Sequence, residues 1–284
     1  MAIRVVTDST SDLPPDLAAE HGITVLPAYI NIGEESYLDG VELSRQEFYE
    51  QLPHYKTPPT TAAPAVGTFT QAYDELAAAG ATQILSIHLA SSLSGIVNAA
   101  RLGAQSAEGV EVTVFDSQQL TMGLGLLALN AARAAAAGAT MDELVGRLEA
   151  ERERTYVFAM LDTLEFLRRS GRVSWTAFGL GTLLRIKLIV RVHRGQVASL
   201  DKVRTHGRAL QRLLQHVADL GPLQEIALLH TSNPDGIGAL RERAQPLFPP
   251  GRRPLAAEVT PTIGAHVGPG ALGFACIAAG EPAS

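Results

Sequence analysis

The sequence predicts an α/β protein that is divided into two lobes. The chain has 284 residues, which is more than the roughly 100–200 residues of a typical domain. Short β-branched segments alternate with helical segments through the first half, an order typical of a parallel sheet covered by helices on both faces. After a strongly charged helix at 141–154 the order of strands and helices becomes mixed. We therefore expect a mostly parallel N-terminal lobe over residues 1–153 and a mixed α/β C-terminal lobe over residues 154–284, with a ligand between them.

The first lobe is assigned from its runs of apolar residues and the helix signals that follow them. The segment at 121–137 is apolar nearly all round, which indicates a buried helix. Proline after serine or aspartate starts the first helix, and Gly22 and Gly80 end two others. The expected strands are at 3–6, 83–89 and 112–115, with an extended segment at 23–32, and the expected helices are at 14–20, 66–79, 94–107 and 121–137.

The second lobe is assigned from the same signals. Residues 183–192 and 196–203 flank the turn Arg194-Gly195 and predict either a strand pair or a helix followed by a hairpin. Further helices are expected at 209–220 and 236–247, and further strands at 225–229, 255–261 and 271–279.

Composition and charge bound the classes of function. The hydrophobic fraction is 46%, the charged fraction is 18% and the formal net charge is −6, which disfavours a nucleic-acid-binding protein. A single cysteine, Cys276, excludes a disulfide framework and a multi-cysteine metal site. The amino terminus has no long apolar run, and no segment has the ~18 uninterrupted apolar residues of a membrane span. We expect a cytoplasmic monomer.

Positive charge is concentrated in one segment. Residues 168–212 contain eleven basic residues and one acidic residue, Asp201. Such a segment is typical of a surface for an anionic partner, either an acidic protein or a membrane headgroup layer that is contacted transiently. It is equally compatible with ion pairs to the acidic first lobe.

Two polar turns follow predicted strands, where ligands bind in open α/β sheets. In TDSTSD, at 7–12, we expect Asp8 and Ser9 to order a site from behind, while Ser11 or Asp12 caps the next helix. In SSLSG, at 91–95, hydroxyls and free N–H groups at a helix N-terminus form a neutral anion site that can hold a carboxylate. Ser94 lacks the glycine two positions before it that a nucleophile elbow requires.

Two further motifs are less specific. PTTAAP, at 59–64, reads as a loop whose hydroxyls could converge with Ser94. IGAHVGPGALG, at 263–273, contains a literal G-x-G-x-x-G, but a strand is expected after it where a dinucleotide site needs a helix. We expect its glycines to permit a close backbone approach, with His266 presented on the loop. No P-loop, zinc-ligand spacing or catalytic triad is recognised, so no metal site and no catalytic residue is assigned.

These motifs together resemble those of one family. VVTDSTSDLP, SSLSGIVNAA, FDSQQLTMGLG, LEFLRRSGRVSW, LLRIKLI, KVRT and GAHVGPGALG occur in the family's order and span nearly the whole chain. The chain thereby resembles the DegV family of bacterial fatty-acid-binding proteins. The resemblance implies a long-chain fatty acid in a buried apolar tunnel, no cofactor and no catalysis by the chain itself. It also implies a separate ATP-dependent fatty-acid kinase that converts the presented carboxylate into an acyl phosphate.

The resemblance also assigns roles to residues at the carboxylate. Thr61 and Ser94 would bind it through their hydroxyls, with the N–H of Gly95 nearby. The family usually has serine and glutamine after the threonine, where this chain has Ala62 and Ala63, so one head-group hydrogen bond would be absent or supplied elsewhere.

Three further residues receive roles from the same resemblance. His266 and Arg204 would order the head-group end and the phosphorylated product. Arg172 would lie at the surface that meets the kinase.

Two other classes of function are compatible with parts of the sequence. Asp8 and Asp12 could serve a metal-dependent small-molecule hydrolase or phosphotransferase. The basic segment could serve a nucleic-acid adaptor, which we rank last because only Trp175 and Phe178 interleave aromatic rings with its charges.

Overall fold

A computed structural model describes residues 2–172 and 186–280 of the chain, and its strands form three sheets. The strands are β1 (Ile3–Asp8), β2 (Ile23–Leu26), β3 (Tyr29–Ile32), β4 (Glu35–Leu38), β5 (Thr60–Ala62), β6 (Gln83–His88), β7 (Glu111–Asp116), β8 (Thr155–Leu161), β9 (Lys187–His193), β10 (Gln196–Val203), β11 (Leu223–His230), β12 (Leu255–Glu258) and β13 (Leu272–Ala278).

The helices lie between these strands. They are α1 (Pro15–Glu20), α2 (Arg45–Gln51), α3 (Val66–Ala78), α4 (Ile96–Ser106), α5 (Thr121–Ala136), α6 (Met141–Arg152), α7 (Glu165–Ser170), α8 (His206–Ala218), α9 (Pro234–Ala244) and α10 (Pro261–Val267). Short 3-10 turns occupy Ser9–Ser11, Leu52–His54 and Gln245–Leu247.

The first sheet is fully parallel, in the order β2-β1-β6-β7. Its two central strands are almost continuously buried, as expected for parallel strands that are covered on both faces. The helices α4 and α5 begin at the carboxyl ends of β6 and β7. This edge is the usual place for a ligand in an open parallel sheet.

A second, small sheet has the antiparallel order β4-β3-β5. It shares an apolar cluster with α2 and α10, in which Ile30, Phe48 and Ala265 are buried. This sheet carries Thr61 on β5, paired with Ile30 on β3.

The third sheet is mixed and has the order β10-β9-β8-β13-β11-β12. The pairs are antiparallel except β11 with β12, which is parallel. The apolar helix α5 is buried along most of its length. It joins residues of the first and third sheets in one apolar cluster, for example Leu85 and Val157.

The predicted fold class is confirmed: a parallel sheet flanked by helices precedes a mixed sheet. Residues 187–193 and 196–203 form the predicted strand pair, while 183–185 of that prediction lie outside the described residues, as do Trp175 and Phe178. The lobe boundary at 153/154 stays a prediction. Among the helices of the described chain, none has the length and hydropathy needed to cross a membrane.

Three local predictions were wrong. The 59–64 segment is not all loop, because Thr60–Ala62 pairs with β3. The helix α1 has Pro14 at its N-cap without a side-chain cap, and Asp12 instead ends the preceding 3-10 turn in a left-handed conformation. His266 lies on the helix α10 rather than on a loop, and the glycines that follow the helix, Gly268 and Gly270, have positive φ.

We predict that Gly125→Ala destabilises the protein by about 2 kcal/mol or more, because a Cβ at this position would lie 2.5 Å from the backbone oxygen of Ser11. Gly146, on α6, has nothing within 4 Å of an added Cβ. Gly146→Ala is therefore the matched control and should stabilise by up to ~1 kcal/mol through helix propensity. Chemical denaturation measures both, and equal effects of the two substitutions would contradict the close approach of α5 to the 3-10 turn.

Candidate functional site

An apolar cavity of about 280 Å³ lies between the two lobes. The first lobe contributes the end of β6 and the starts of α4 and α5 to its wall. The second lobe contributes one face of the mixed sheet and the helix α10. Its apolar lining includes Leu89, Leu93, Ile96, Leu120, Val157, Leu161, Val190, Val192, Val197, Leu229, Val259, Ile263 and Val267.

The apolar wall follows from the two-residue period of strands. On β8, the alternate residues Val157, Ala159 and Leu161 line the cavity, because successive side chains point to opposite faces of a sheet. On β9, Val192 lies opposite Val157, and Val190 lies opposite Ala159. The sheet thus presents a continuous aliphatic stripe that can contact an extended apolar molecule.

One part of the cavity is polar. The side chains of Thr61, on β5, and His266, on α10, meet there with 3.0 Å between Oγ1 and Nε2. Both line the cavity and both are partly buried. Residues that are 205 positions apart in sequence therefore form a hydrogen-bonded pair across the cavity wall.

The imidazole of His266 is neutral at physiological pH. Burial, and to a smaller extent the nearby positive charge of Arg172, together lower its pKa to about 4. Arg172 lines the cavity but is exposed, and its guanidinium donates to the carbonyl of Ser170 at 2.6 Å. Among the described lining residues, Arg172 is the one that keeps a full charge at neutral pH.

Ser94 and Gly95 line the cavity at the start of α4. Gly95 is the N-cap residue and has no side chain to cap the helix. The Ser94 hydroxyl accepts a hydrogen bond from the N–H of Ile96 at 3.4 Å, so its own proton stays available for an acceptor in the cavity. A neutral hydroxyl thus lies beside the positive end of an 11-residue helix dipole.

Asp8 lies behind this turn, fully buried. Its carboxylate accepts hydrogen bonds from the N–H groups of Thr10 and Leu89 and is 2.9 Å from Nδ1 of His88. The other ring nitrogen of His88 is hydrogen-bonded to the hydroxyl of Ser86, which is in turn hydrogen-bonded to the hydroxyl of Tyr73. Asp8 therefore fixes the end of β6, from which the 91–95 turn starts. A carboxylate occupied in this way is not presented to a substrate.

Asp12 and Asp39 form a second buried polar group, where the first lobe meets α10. Asp12 accepts from the N–H of Thr260 at 2.7 Å, and Asp39 accepts from the hydroxyls of Thr260 and Thr262. Arg45 lies 3.8 Å from Asp12 but only partly offsets its burial, which raises the pKa of Asp12 to about 8. The pair anchors the N-terminus of α10 and thereby sets the position of His266.

The structure brings five of the six predicted site residues to the cavity, but not Arg204. Thr61, Ser94, Gly95 and His266 line it, with Arg172 at its exposed rim. Arg204 is exposed and lines a separate surface depression at the end of β10, beside Lys202, Thr205, Arg208 and Arg212. Nothing in the described residues supports a role for Arg204 at the head-group end.

The basic segment is partly neutralised by ion pairs. Arg194 pairs with Glu153 at 2.6 Å, and Lys187 pairs with Asp162 at 2.7 Å. Within the segment, Arg212 lies 3.0 Å from Asp201. Intramolecular pairing thus accounts for part of the charge, while Arg172 and Arg204 stay exposed.

Sequence reasoning missed several polar lining residues. They are Thr121, Ser170, His230, Thr231 and Thr262. Thr121 had a usable signal, because it starts a helix at the carboxyl end of β7, next in the sheet to β6, the strand that precedes Ser94. The others reach the cavity through the packing of the mixed sheet and α10 against the first lobe, which no local pattern encodes.

The hydrolase interpretation of Asp8 and Asp12 is not supported. Both carboxylates are fully buried and serve structural hydrogen bonds. Over residues 2–172 and 186–280, no group of three or more histidine, cysteine, aspartate or glutamate side chains is placed to hold a metal ion.

The fold and the site define a two-lobed α/β protein with an apolar cavity between the lobes. Comparison with known families identifies it further. The chain belongs to the DegV family, whose model, described as "Uncharacterised protein, DegV family", matches residues 2–279. A DegV domain-containing protein of Streptomyces coelicolor is 37% identical over 273 residues, which cover 95% of this chain and 96% of that protein.

Solved structures of the family have the same fold. A DegV family protein from Thermus thermophilus, described as binding fatty acid, has 32% identity and a TM-score of 0.89 and covers 98% of this chain and 100% of its own. DegV from Bacillus subtilis, described as a fatty acid binding protein, has 29% identity and a TM-score of 0.87, with coverage of 98% and 99%.

We predict that the stability of the protein falls as pH rises from about 4 to about 8, through Asp12. Because its pKa is raised from 3.8 to about 8 in the folded state, the folded protein holds a proton in this window that the unfolded chain releases. Asp12→Asn should flatten the profile by an amount on the order of a few kcal/mol, as measured by thermal unfolding across this pH range. Asp16→Asn, on the exposed face of α1, is the control. A profile unchanged by Asp12→Asn would contradict the assignment.

Proposed function

We propose that the protein binds one long-chain fatty acid in the interlobe cavity, with the carboxylate at Thr61, Ser94 and His266. The single observation that carries this proposal is the combination of an aliphatic wall with a neutral polar pair in one cavity. The description of two relatives as fatty-acid-binding supports it.

The apolar wall supplies most of the binding free energy in this proposal. Each buried methylene contributes about 0.8 kcal/mol. A chain of roughly sixteen carbons therefore gains on the order of 10 kcal/mol before the costs of ordering. The head group then has to contribute orientation rather than affinity.

The tautomer of His266 decides whether Thr61 donates to the carboxylate. If Nε2 of the imidazole carries the proton, it donates to Oγ1 of Thr61 across the 3.0 Å contact. The Thr61 hydroxyl proton is then free for the ligand. The hydroxyl of Ser94 provides a second neutral donor, so the carboxylate is held without a buried salt bridge.

A carboxylate held by neutral donors keeps its reactivity as a nucleophile. A bidentate arginine pair would bind it more strongly and stabilise its charge. We propose that the chain presents this carboxylate to a separate ATP-dependent fatty-acid kinase, which forms the acyl phosphate, and that the chain performs no catalysis of its own. The exposed position of Arg172 at the rim supports its role as the contact with that kinase.

The remaining proposals concern the setting of this activity. A kinase that uses ATP places the protein in the cytoplasm. The exposed basic residues could contact an anionic membrane surface transiently, where fatty acids are collected or delivered. Nothing in the site requires a second copy of the chain, so we propose a monomer.

We predict that Thr61→Val and Ser94→Ala each weaken fatty-acid binding by about tenfold, because each removes one hydrogen bond to a charged group. Titration of delipidated protein with hexadecanoic acid measures this, and native mass spectrometry of gently purified wild-type protein should show a bound acyl chain. Thr60→Val is the matched control, since Thr60 is exposed on the same strand and does not line the cavity. Wild-type protein that is always empty and binds no fatty acid would reject the proposal.

We predict that Arg172→Ala lowers the rate of acyl phosphate formation by a fatty-acid kinase more than it lowers the affinity for the fatty acid. The reason is that the guanidinium lies at the exposed rim and would meet the kinase and the phosphoryl group. Arg101→Ala, on the exposed face of α4, controls for the loss of one positive charge. An equal loss in rate and affinity would place Arg172 at the ligand alone.

A further inference from the structure

The boundary between the parallel sheet and α10 is bridged by one buried residue, Thr260. Its N–H donates to Oδ1 of Asp12 at 2.7 Å, and its hydroxyl donates to Oδ2 of Asp39. Asp12 ends the 3-10 turn that follows β1, whereas Thr260 is the N-cap residue of α10 and Asp39 follows β4 of the small sheet. If α10 and the small sheet moved away from the parallel sheet, the hydrogen bond of Asp12 would break and its carboxyl group would meet water.

The two carboxyl groups have unequal sets of partners. Oδ2 of Asp39 accepts from the hydroxyls of Ser9, Thr260 and Thr262. Oδ2 of Asp12 and Oδ1 of Asp39 are buried and have no partner among the residues that the structure describes. Two negative charges on either side of one residue and away from water repel each other and lack solvation. One proton on Asp12 removes one of these charges and turns an unpaired acceptor into a donor.

The charged groups around Asp12 favour this proton. Burial acts most strongly, and the charges of Asp39 and Asp8 act in the same direction. Arg45 of α2 lies 3.8 Å from Oδ1 and favours the ionised form, but it is partly exposed. The balance raises the pKa of Asp12 to about 8. Tyr49, also on α2, stays neutral because burial raises the pKa of its hydroxyl.

The other titratable groups at this boundary act in a different pH range. Oε1 of Glu258 lies 4.0 Å from Nδ1 of His230. Burial lowers the pKa of His230 and that of His266. If opening exposed these imidazoles, they would take up protons below about pH 6.5, so opening would become less favourable as pH rises in that range. An increase in opening above about pH 6.5 therefore has the sign that belongs to Asp12.

We propose that the proton on Asp12 is a latch on ligand exchange: α10 and the small sheet separate from the parallel sheet, and admit or release a fatty acid, when this proton is released to solvent. The inference rests on the proposed fatty-acid binding. Ser94 lines the cavity from one side of the boundary and His266 from the other, so their separation opens the cavity.

The latch acts on the rate of exchange rather than on affinity. In the open state Asp12 meets water and has the ordinary acidity of an aspartate, so opening releases one proton at neutral pH. The opening equilibrium then shifts by up to about tenfold per pH unit. The closed protein holds the proton both with and without ligand. Entry and exit therefore accelerate together, and Kd stays constant.

The test measures the exchange of one fatty acid for an identical one. Protein loaded with hexadecanoic acid is mixed with an excess of perdeuterated hexadecanoic acid, and native mass spectrometry follows the replacement. The exchange rate should rise by up to about tenfold per pH unit between about pH 6.5 and about pH 8 and level off above this range. Titration of delipidated protein should give the same Kd throughout, and far-UV circular dichroism should show folded protein at each pH.

Three variants assign the effect. Asp12→Asn has nearly the same shape but does not ionise, so its exchange should stay slow at every pH. Arg45→Gln removes the cation that favours ionised Asp12, so the rate should level off at a higher pH. This variant tests the latch even if Asp12→Asn fails to fold. Asp16→Asn, on the exposed face of α1, is the matched control and should keep the wild-type profile.

The outcomes separate this inference from the proposed function. If the wild-type exchange rate is independent of pH above about pH 6.5, or if Asp12→Asn shows the same rise, the latch is overturned and fatty-acid binding stands. The ligand then passes by another route, such as the exposed rim at Arg172. If Kd weakens with pH as steeply as exchange accelerates, the proton controls affinity and the latch is again overturned. If the wild-type protein binds neither form of the acid, both proposals fail.

Discussion

The buried carboxyl groups of Asp12 and Asp39 hold the first lobe against the start of α10. Asp12 accepts from the backbone of Thr260, and Asp39 accepts from the hydroxyls of Thr260 and Thr262. The helix that starts there carries Ile263 and His266 into the cavity wall. Apolar contacts alone are non-directional and do not fix an angle between elements, whereas these hydrogen bonds do. The width of the cavity, and the 3.0 Å contact of His266 with Thr61, depend on this anchor.

The polarity of the cavity follows from how the chain distributes its charges. Carboxylates are kept behind the wall, where Asp8 orders the end of β6, and the full positive charge of Arg172 is kept at the exposed rim. The lining between them has hydroxyls, a neutral imidazole and aliphatic side chains. Such a wall imposes little desolvation cost on an apolar chain. It also leaves the orientation of a ligand to a few hydrogen bonds, and for this reason single hydroxyls such as that of Ser94 carry much of the specificity that we propose.

Much of the fold was predictable because its signals are local. The alternation of apolar strands and helices identified the parallel sheet. The helix start at SSLSG put Ser94 and Gly95 at the carboxyl end of a strand, where both line the cavity. The small sheet was missed because β3, β4 and β5 are each three or four residues long and lack a clear period. The contact of Thr61 with His266 joins residues 205 positions apart, which only the packing of the lobes decides. Arg204 lines a separate surface depression, and its role at the head-group end stays a prediction.

The small sheet has a consequence for how a ligand could enter. Thr61 pairs with Ile30, and Ile30 shares an apolar cluster with Ala265, the neighbour of His266. The two polar residues are therefore mounted on one compact unit with its own core. Ser94 belongs to a different unit, the edge of the parallel sheet. If the small sheet with α10 moved away from the edge of the parallel sheet, a long ligand could enter between them. The hydrogen bond between Thr61 and His266 would stay intact during that motion, because both residues belong to the same unit.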